Sequence, residues 1–163
     1  MKVQKILVPL DGSALAEAAL PRAVELAQDS GAKVELLRAV EAHTFPGADP
    51  TEAQIKVVEE GEAYLAEVAS RLRGNGVKDV ETSVWYGPAA YAIVEAARLR
   101  KVDLIVMTTH GRSGLGRLIL GSVAESVLRG TTTPIFLIRA PEAPVELPTG
   151  KGEAKPWPEI RHV

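Results

Sequence analysis

The residues whose types and spacing could do chemistry cluster between Thr108 and Ser122: Thr108, His110, Gly111, Arg112, Gly114, Gly116, Arg117, Gly121 and Ser122. Glycine has no Cβ, so backbone at Gly111, Gly114 and Gly121 can turn left-handed and approach a bound group closely. Such a loop offers N–H donors, and a helix beginning after it adds the positive end of a dipole; together they suit an anion, phosphate above all. The competing reading is a set of plain turns. Arg112 and Arg117 could lend charge to phosphate or serve only as solvated loop cations. His110 could titrate near neutrality beside a phosphate or be structural. No second His or acidic cluster gives it metal-ligand spacing.

The flanking segments must position that loop. Val102 to Met107 is an apolar run, as expected of a strand buried on both faces. Ser122 followed three residues later by Glu125 is a capping-box pattern, which predicts a helix with Ser122 at its start. Ser122 then offers a hydroxyl, and Val123 an amide in the first turn. Familiar phosphate and nucleophile motifs do not fit. There is no Gly-Lys-Ser/Thr for a P-loop, and the glycine spacing is not G-x-G-x-x-G. Gly111-Arg112-Ser113-Gly114 is one residue short of a nucleophile elbow.

The chain has 163 residues, enough for one domain with a full core. A hydrophobic fraction of 46% and a charged fraction of 25% are ordinary for a globular protein. A net charge of −2 with scattered Lys and Arg makes no case for nucleic acid. Cysteine is absent, which removes disulfides, thiolate nucleophiles and Cys-ligated metals, and fits a cytoplasmic protein. No signal peptide is visible, and no apolar run approaches the roughly 20 residues that span a bilayer.

Taken in order, Ile6 to Pro9 reads as a central strand with Pro9 at its end. Asp11-Gly12-Ser13 turn the chain, and Ala14 to Gln28 reads as one helix kinked at Pro21. Asp11 could contact a ribose or metal phosphate, or simply make an Asx turn or cap. Lys33 to Val40 is a second strand. Thr51 to Arg73 is a long helix with Ile55, Val58, Glu62, Leu65, Val68 and Leu72 in its stripe, weakened at Gly61. Val80 to Trp85 reads as an edge strand with Val80, Thr82 and Val84 on one side, and Trp85 as a core or rim residue. Ala89 to Arg100 is a helix packing through Ala92, Ile93, Ala96, Ala97 and Leu99. Leu104 to Thr108 and Ile135 to Ile138 complete a βαβαβαβαβ order. That alternation predicts an α/β fold: an open five-stranded parallel sheet with helices on both faces. Residues 140–163 are rich in Pro and Gly and read as an extension, with Trp157 a candidate anchor.

The loop resembles the nucleotide-binding loop of the universal stress protein family, which reads Gly, two residues, Gly, nine residues, Gly-Ser/Thr. Gly111 matches the second glycine and Gly121-Ser122 the closing pair; Thr108 stands where the pattern has its first glycine. Ile6-Leu7-Val8-Pro9-Leu10-Asp11-Gly12-Ser13, Val123 to Leu128 and Pro134 to Ile138 are similar to other parts of the family, so the resemblance runs from about Lys5 to Arg139.

The resemblance implies an adenine nucleotide alpha hydrolase-like sheet of strand order 3-2-1-4-5 within a domain spanning 1–139. It implies a site for ATP, AMP or ADP, with Mg²⁺ or Mn²⁺ carried by the phosphates. That site would be made by Pro9, Leu10, Asp11, Val40, Met107, Thr108, His110, Gly111, Arg112, Gly114, Gly121, Ser122 and Val123. Val40 would read the adenine edge through its backbone. Thr108 adds a β-branched side chain that would narrow the site, or a hydroxyl that would replace a backbone contact. The resemblance also implies a homodimer through Ile135–Ile138 and a stress-response or signalling role, with an unidentified protein partner. The rival readings are a slow ATP hydrolase of the same fold and a dimeric interaction module that binds no nucleotide.

Overall fold

The computed structural model describes residues 1–110, 120–141, 145, 148, 150, 152 and 154. Short apolar runs form the strands, and longer amphipathic segments form the helices between them. In order these are β1 (Lys5–Pro9), α1 (Ala14–Glu17), α2 (Leu20–Ser30), β2 (Lys33–Val40), α3 (Pro50–Gly74), β3 (Val80–Tyr86), α4 (Ala89–Leu99), β4 (Leu104–Thr108), α5 (Ser122–Gly130) and β5 (Ile135–Ile138). The strands make one 5-stranded sheet in the order β3-β2-β1-β4-β5. Every pairing is parallel, as the alternation predicts.

Because side chains alternate across a strand, each strand feeds two cores. Ile6, Val8, Val34, Leu36 and Val106 join Ala16, Leu20, Ala23, Leu65, Val68 and Leu72 on the face covered by α1, α2 and α3. Leu7, Leu37, Ile105 and Met107 join Ala92, Ile93, Ala96, Ala124 and Val127 on the face covered by α4 and α5. β1 is fully inaccessible at Ile6, Leu7 and Val8. Among the described residues no helix is long and apolar enough to cross a membrane.

Several local expectations change. The helix expected over 14–28 is two helices, with a break at Ala18-Ala19 and Pro21 in the first turn of α2 rather than at a kink. Proline is tolerated there because that N–H has no helical acceptor in any case. Helix α3 starts at Pro50, because Asp49 caps it by accepting from the Thr51 amide at 2.9 Å. Gly61 is a contact point and not merely a weak spot: it is buried, and a Cβ there would lie 3.3 Å from Val40 Cγ1 and from Val84 Cγ2. Ile55, Thr82 and Leu99, each expected on a packing side, are exposed. Trp85 is half-buried against the α4 side, with Nε1 donating to Ser83 Oγ at 3.3 Å.

The start of α5 also differs from the capping-box expectation. Gly121, not Ser122, is the N-cap, and among the described residues no side chain caps the helix. Glu125 instead pairs with Arg129 at 2.8 Å, four residues on. Ser122 is therefore the first helical residue.

Candidate functional site

β1 is flanked by β2 on one side and β4 on the other, so the chain's winding reverses between β1 and β4. Open α/β sheets bind ligands just beyond the strand ends at such a reversal. A cleft of ≈ 290 Å³ lies there. Pro9, Leu10 and Asp11 line it from the end of β1, Met107, Thr108, Thr109 and His110 from the end of β4, and Gly121, Ser122, Val123 and Ala124 from the start of α5. Leu37 and Ala39 of β2, Ala16 of α1, and Ala89 and Ile93 of α4 complete the wall. The volume is near the lower end for small-molecule sites.

Each polar part of the lining has a local cause. Leu10 donates to the Leu37 carbonyl at 2.8 Å, which carries the sheet pairing one residue beyond β1. The chain then turns at Gly12, whose φ of +85° favours glycine. Asp11 Oδ1 accepts from the Ser13 amide at 2.9 Å and from Ser13 Oγ at 2.5 Å. Ser13 Oγ in turn accepts from the Ala16 amide at 3.1 Å and caps α1. The Asx turn and the display of a carboxylate at the cleft are therefore one structure, and the two readings of Asp11 are compatible.

On the opposite wall, Thr109 donates its amide to the Ile138 carbonyl at 2.9 Å, and its own carbonyl accepts from Gly121 at 2.7 Å. These bonds set the N-terminus of α5 beside the end of β4. The amides of Ser122, Val123 and Ala124 have no acceptor within the helix, as in any first turn. Among the described residues no side chain caps this turn, and its amides and the helix dipole are the kind of groups that favour an anion.

Thr108 is 6% exposed, and its hydroxyl donates to the His110 carbonyl at 2.8 Å. The hydroxyl thus holds the entrance of the loop. His110 Nδ1 shares a 2.9 Å hydrogen bond with Thr109 Oγ1, while Nε2 is buried with no hydrogen-bond partner among the described residues.

The structure thus gathers Pro9, Leu10, Asp11, Met107, Thr108, His110, Gly121, Ser122 and Val123 at one cleft. Val40 is not in its lining: it stands buried at the end of β2, and its carbonyl accepts from Gly87 at 3.0 Å. Gly111, Arg112 and Gly114, with Gly116 and Arg117, lie outside the described residues, as does Trp157. Leu37, Ala39, Ala16, Ala89, Ile93, Thr109 and Ala124 were not singled out in the sequence as site residues. Small apolar residues and a threonine at strand ends and on helix faces look like core, and only the topology brings them to the cleft. The cleft thus pairs a mostly apolar wall with the N-terminus of α5.

Comparison with known proteins agrees with this architecture. The family model described as "Universal stress protein family" matches residues 2–139. A universal stress protein of Methanocaldococcus jannaschii is 35% identical over 144 residues, 85% of this chain and 84% of the relative. The solved structure of a universal stress protein from Lactobacillus plantarum superposes with a TM-score of 0.75 at 25% identity, covering 85% of this chain and 99% of that one. A universal stress protein solved in complex with cAMP matches with a TM-score of 0.65 at 29% identity, covering 86% and 99%.

Proposed function

Because the chain belongs to the universal stress protein family, we propose that it binds an adenine nucleotide, ATP or its AMP and ADP relatives, in the cleft between β1, β4 and α5. The observation that carries this reading is that the first turn of α5, with glycine at its N-cap, and the Asp11 turn line one cleft. The phosphates sit on the amides of Ser122 and Val123 and on the Ser122 hydroxyl, with Gly121 allowing close approach. Asp11 accepts from the ribose hydroxyls. The base lies toward Leu37, Ala39 and Met107, and its edge is read by backbone near Val40. Gly111, Arg112 and Gly114 add phosphate contacts, a role that rests on the family motif alone. The relative that carries cAMP supports the choice of an adenine ligand.

Among the described residues, no group of three His, Cys, Asp or Glu could hold a metal, and Asp11 is the one carboxylate in the cleft's described lining. A Mg²⁺ or Mn²⁺ ion fits as a passenger on the phosphates, with Asp11 as its nearest protein carboxylate. It would neutralise phosphate charge. Any hydrolysis is slow, and the nucleotide acts as a conformational or partner-selecting ligand in a cytoplasmic stress-response or signalling role. The exposed Phe136 on the edge strand β5 supports pairing with a second copy, since an apolar edge is a liability unless covered. By composition, residues 140–163, rich in Pro and Gly, are read as an extension of the 1–139 domain.

The test is the nucleotide content of the purified protein, released by denaturation and separated by anion exchange, followed by calorimetric titration with ATP and Mg²⁺. Co-purified adenine nucleotide or micromolar binding is expected. Empty protein that gives no heat of binding would overturn the reading in favour of an interaction module.

A further inference from the structure

A chain of side chains outside the cleft runs from α3 to the turn that displays Asp11. Arg71 Nη2 donates to Glu17 Oε2 at 3.0 Å, and the Tyr64 hydroxyl donates to Glu17 Oε1 at 2.7 Å. Burial, then the hydrogen bond to Glu17, push the Tyr64 phenol above its ordinary value of 10.0, so it remains a neutral donor. The Arg38 guanidinium lies over the Tyr64 ring, with Cζ 5.0 Å from the centroid, an arrangement that attracts a cation to an aromatic face. The same guanidinium abuts Gly12. A Cβ built there would collide with Arg38 Nη1 and lie 3.3 Å from Cζ. Gly12 thus suits the turn through its positive φ, and its missing Cβ leaves the space that the end of Arg38 takes. Arg38 itself does not line the cleft.

We propose that Arg38 is a positioning residue for the ligand cleft. Its guanidinium, carried on the Tyr64 ring, is the support against which the Asp11-Gly12-Ser13 turn is set, and so it fixes where the Asp11 carboxylate meets a ligand. This rests on the reading that the cleft holds an adenine nucleotide. The chemistry argues for a role beyond filling space. A methionine would fill the volume without desolvating a cation, whereas a flat, charged guanidinium holds a defined place between an aromatic face and a backbone turn. Through Tyr64, Glu17 and Arg71 the support is anchored to α3 and α1 together.

The test uses the full chain as wild type, Arg38→Met, Asp11→Ala and the double variant. Two measurements are made: calorimetry with MgATP, and amide hydrogen exchange without nucleotide. Arg38→Met is expected to weaken MgATP about tenfold, and the double variant to bind no more weakly than Asp11→Ala alone, because Arg38 acts through Asp11. Exchange at the Ser13 amide is expected to accelerate while amides of β1 and β4 keep their protection. Unchanged affinity in Arg38→Met, or losses that simply multiply in the double variant, would overturn the proposal. So would unchanged Ser13 exchange, which is read whether or not nucleotide binds. Wild-type protein that gives no heat with MgATP would instead overturn the nucleotide reading and leave the exchange result to decide the role of Arg38. Should Arg38→Met fail to fold, Arg38→Lys keeps the charge and loses the plane, and it is expected to weaken binding with wild-type thermal stability; unchanged affinity there overturns the proposal.

Discussion

The Gly121 amide donates to the Thr109 carbonyl at 2.7 Å, a bond that ties the N-terminus of α5 to the end of β4. It draws together two residues that flank the intervening glycine-rich segment. It also leaves no room for a side chain: a Cβ at Gly121 would lie 2.9 Å from Thr109 O and 3.4 Å from His110 Cα. Both neighbours are backbone and cannot rotate away. Gly121→Val should therefore displace α5, destabilise the protein by about 1–3 kcal/mol, and abolish nucleotide binding in calorimetry. Wild-type affinity in this variant would refute the site.

Ser122 separates a ligand role from a capping role. As the first helical residue and not the N-cap, it should tolerate Ser122→Ala with a stability change within about 0.5 kcal/mol, where loss of a true cap costs about 1. Its affinity for MgATP should nevertheless fall several-fold, because the phosphate loses a donor. Urea denaturation and calorimetry on the same preparation provide the comparison.

Thr108 holds the loop's entrance through its hydroxyl on the His110 carbonyl. Thr108→Val keeps the shape and deletes the donor, so it should cost about 1–2 kcal/mol. Nucleotide affinity should fall as well, as the loop is less well fixed before binding. An equal or higher melting temperature in Thr108→Val would show that the bond contributes nothing.

Glu35 is fully buried in β2, where Oε1 accepts from Ser83 Oγ at 3.0 Å and Arg100 Nε lies 3.1 Å away. Lys5 Nζ is 4.0 Å from Oε2. Removing one partner leaves a carboxylate short of compensation, so Arg100→Ala should cost about 2 kcal/mol. By contrast, Arg22→Ala, which breaks an exposed 2.6 Å pair with Glu25, should change stability by less than about 0.5 kcal/mol. Equal effects in chemical denaturation would contradict this ranking.

Alkaline pH should reveal Tyr64. Its phenol is raised in the folded state, so the native protein holds a proton that the unfolded chain releases above its ordinary value of 10.0. The contribution is complete below pH 10 and is lost as pH rises beyond it. Lys33, raised from 10.5 first by its hydrogen bond to Glu81, acts in the same direction and persists in every Tyr64 variant. Tyr64→Phe should therefore flatten the fall in unfolding free energy between pH 9 and pH 11 without removing it. An unchanged slope would contradict the phenol's part in it.

Much of the fold was legible because strands buried on both faces announce themselves as apolar runs, as at Ile6 to Val8 and Leu104 to Met107. The cleft was legible where its lining uses a distinctive residue type, as at Asp11, Gly121 and Ser122. What escaped depends on tertiary contact. Gly61 reads as a poor helix former until α3 is seen lying against Val40 and Val84. The capping box at Ser122 and Glu125 failed because Gly121 is held by Thr109 and takes the cap position itself. Leu37, Ala39, Ala89 and Ile93 carry no signal of a cleft, since a wall for a flat ligand and a hydrophobic core use the same side chains.

The central place of β1 has a consequence for how the chain is made. Lys5–Pro9 precedes the other four strands in the chain, yet it pairs with β4 as well as β2. The amides of Gln4 and Lys5 both donate to Asp103, the latter across 98 residues of sequence. At roughly 5–20 residues per second, β4 leaves the ribosome on the order of ten seconds after β1. Through that interval Ile6, Leu7 and Val8 can pair with β2 on one side only. The other side is an open, apolar strand edge that any extended chain could join. A nascent chain stopped before Leu104 thus leaves that edge of β1 uncovered.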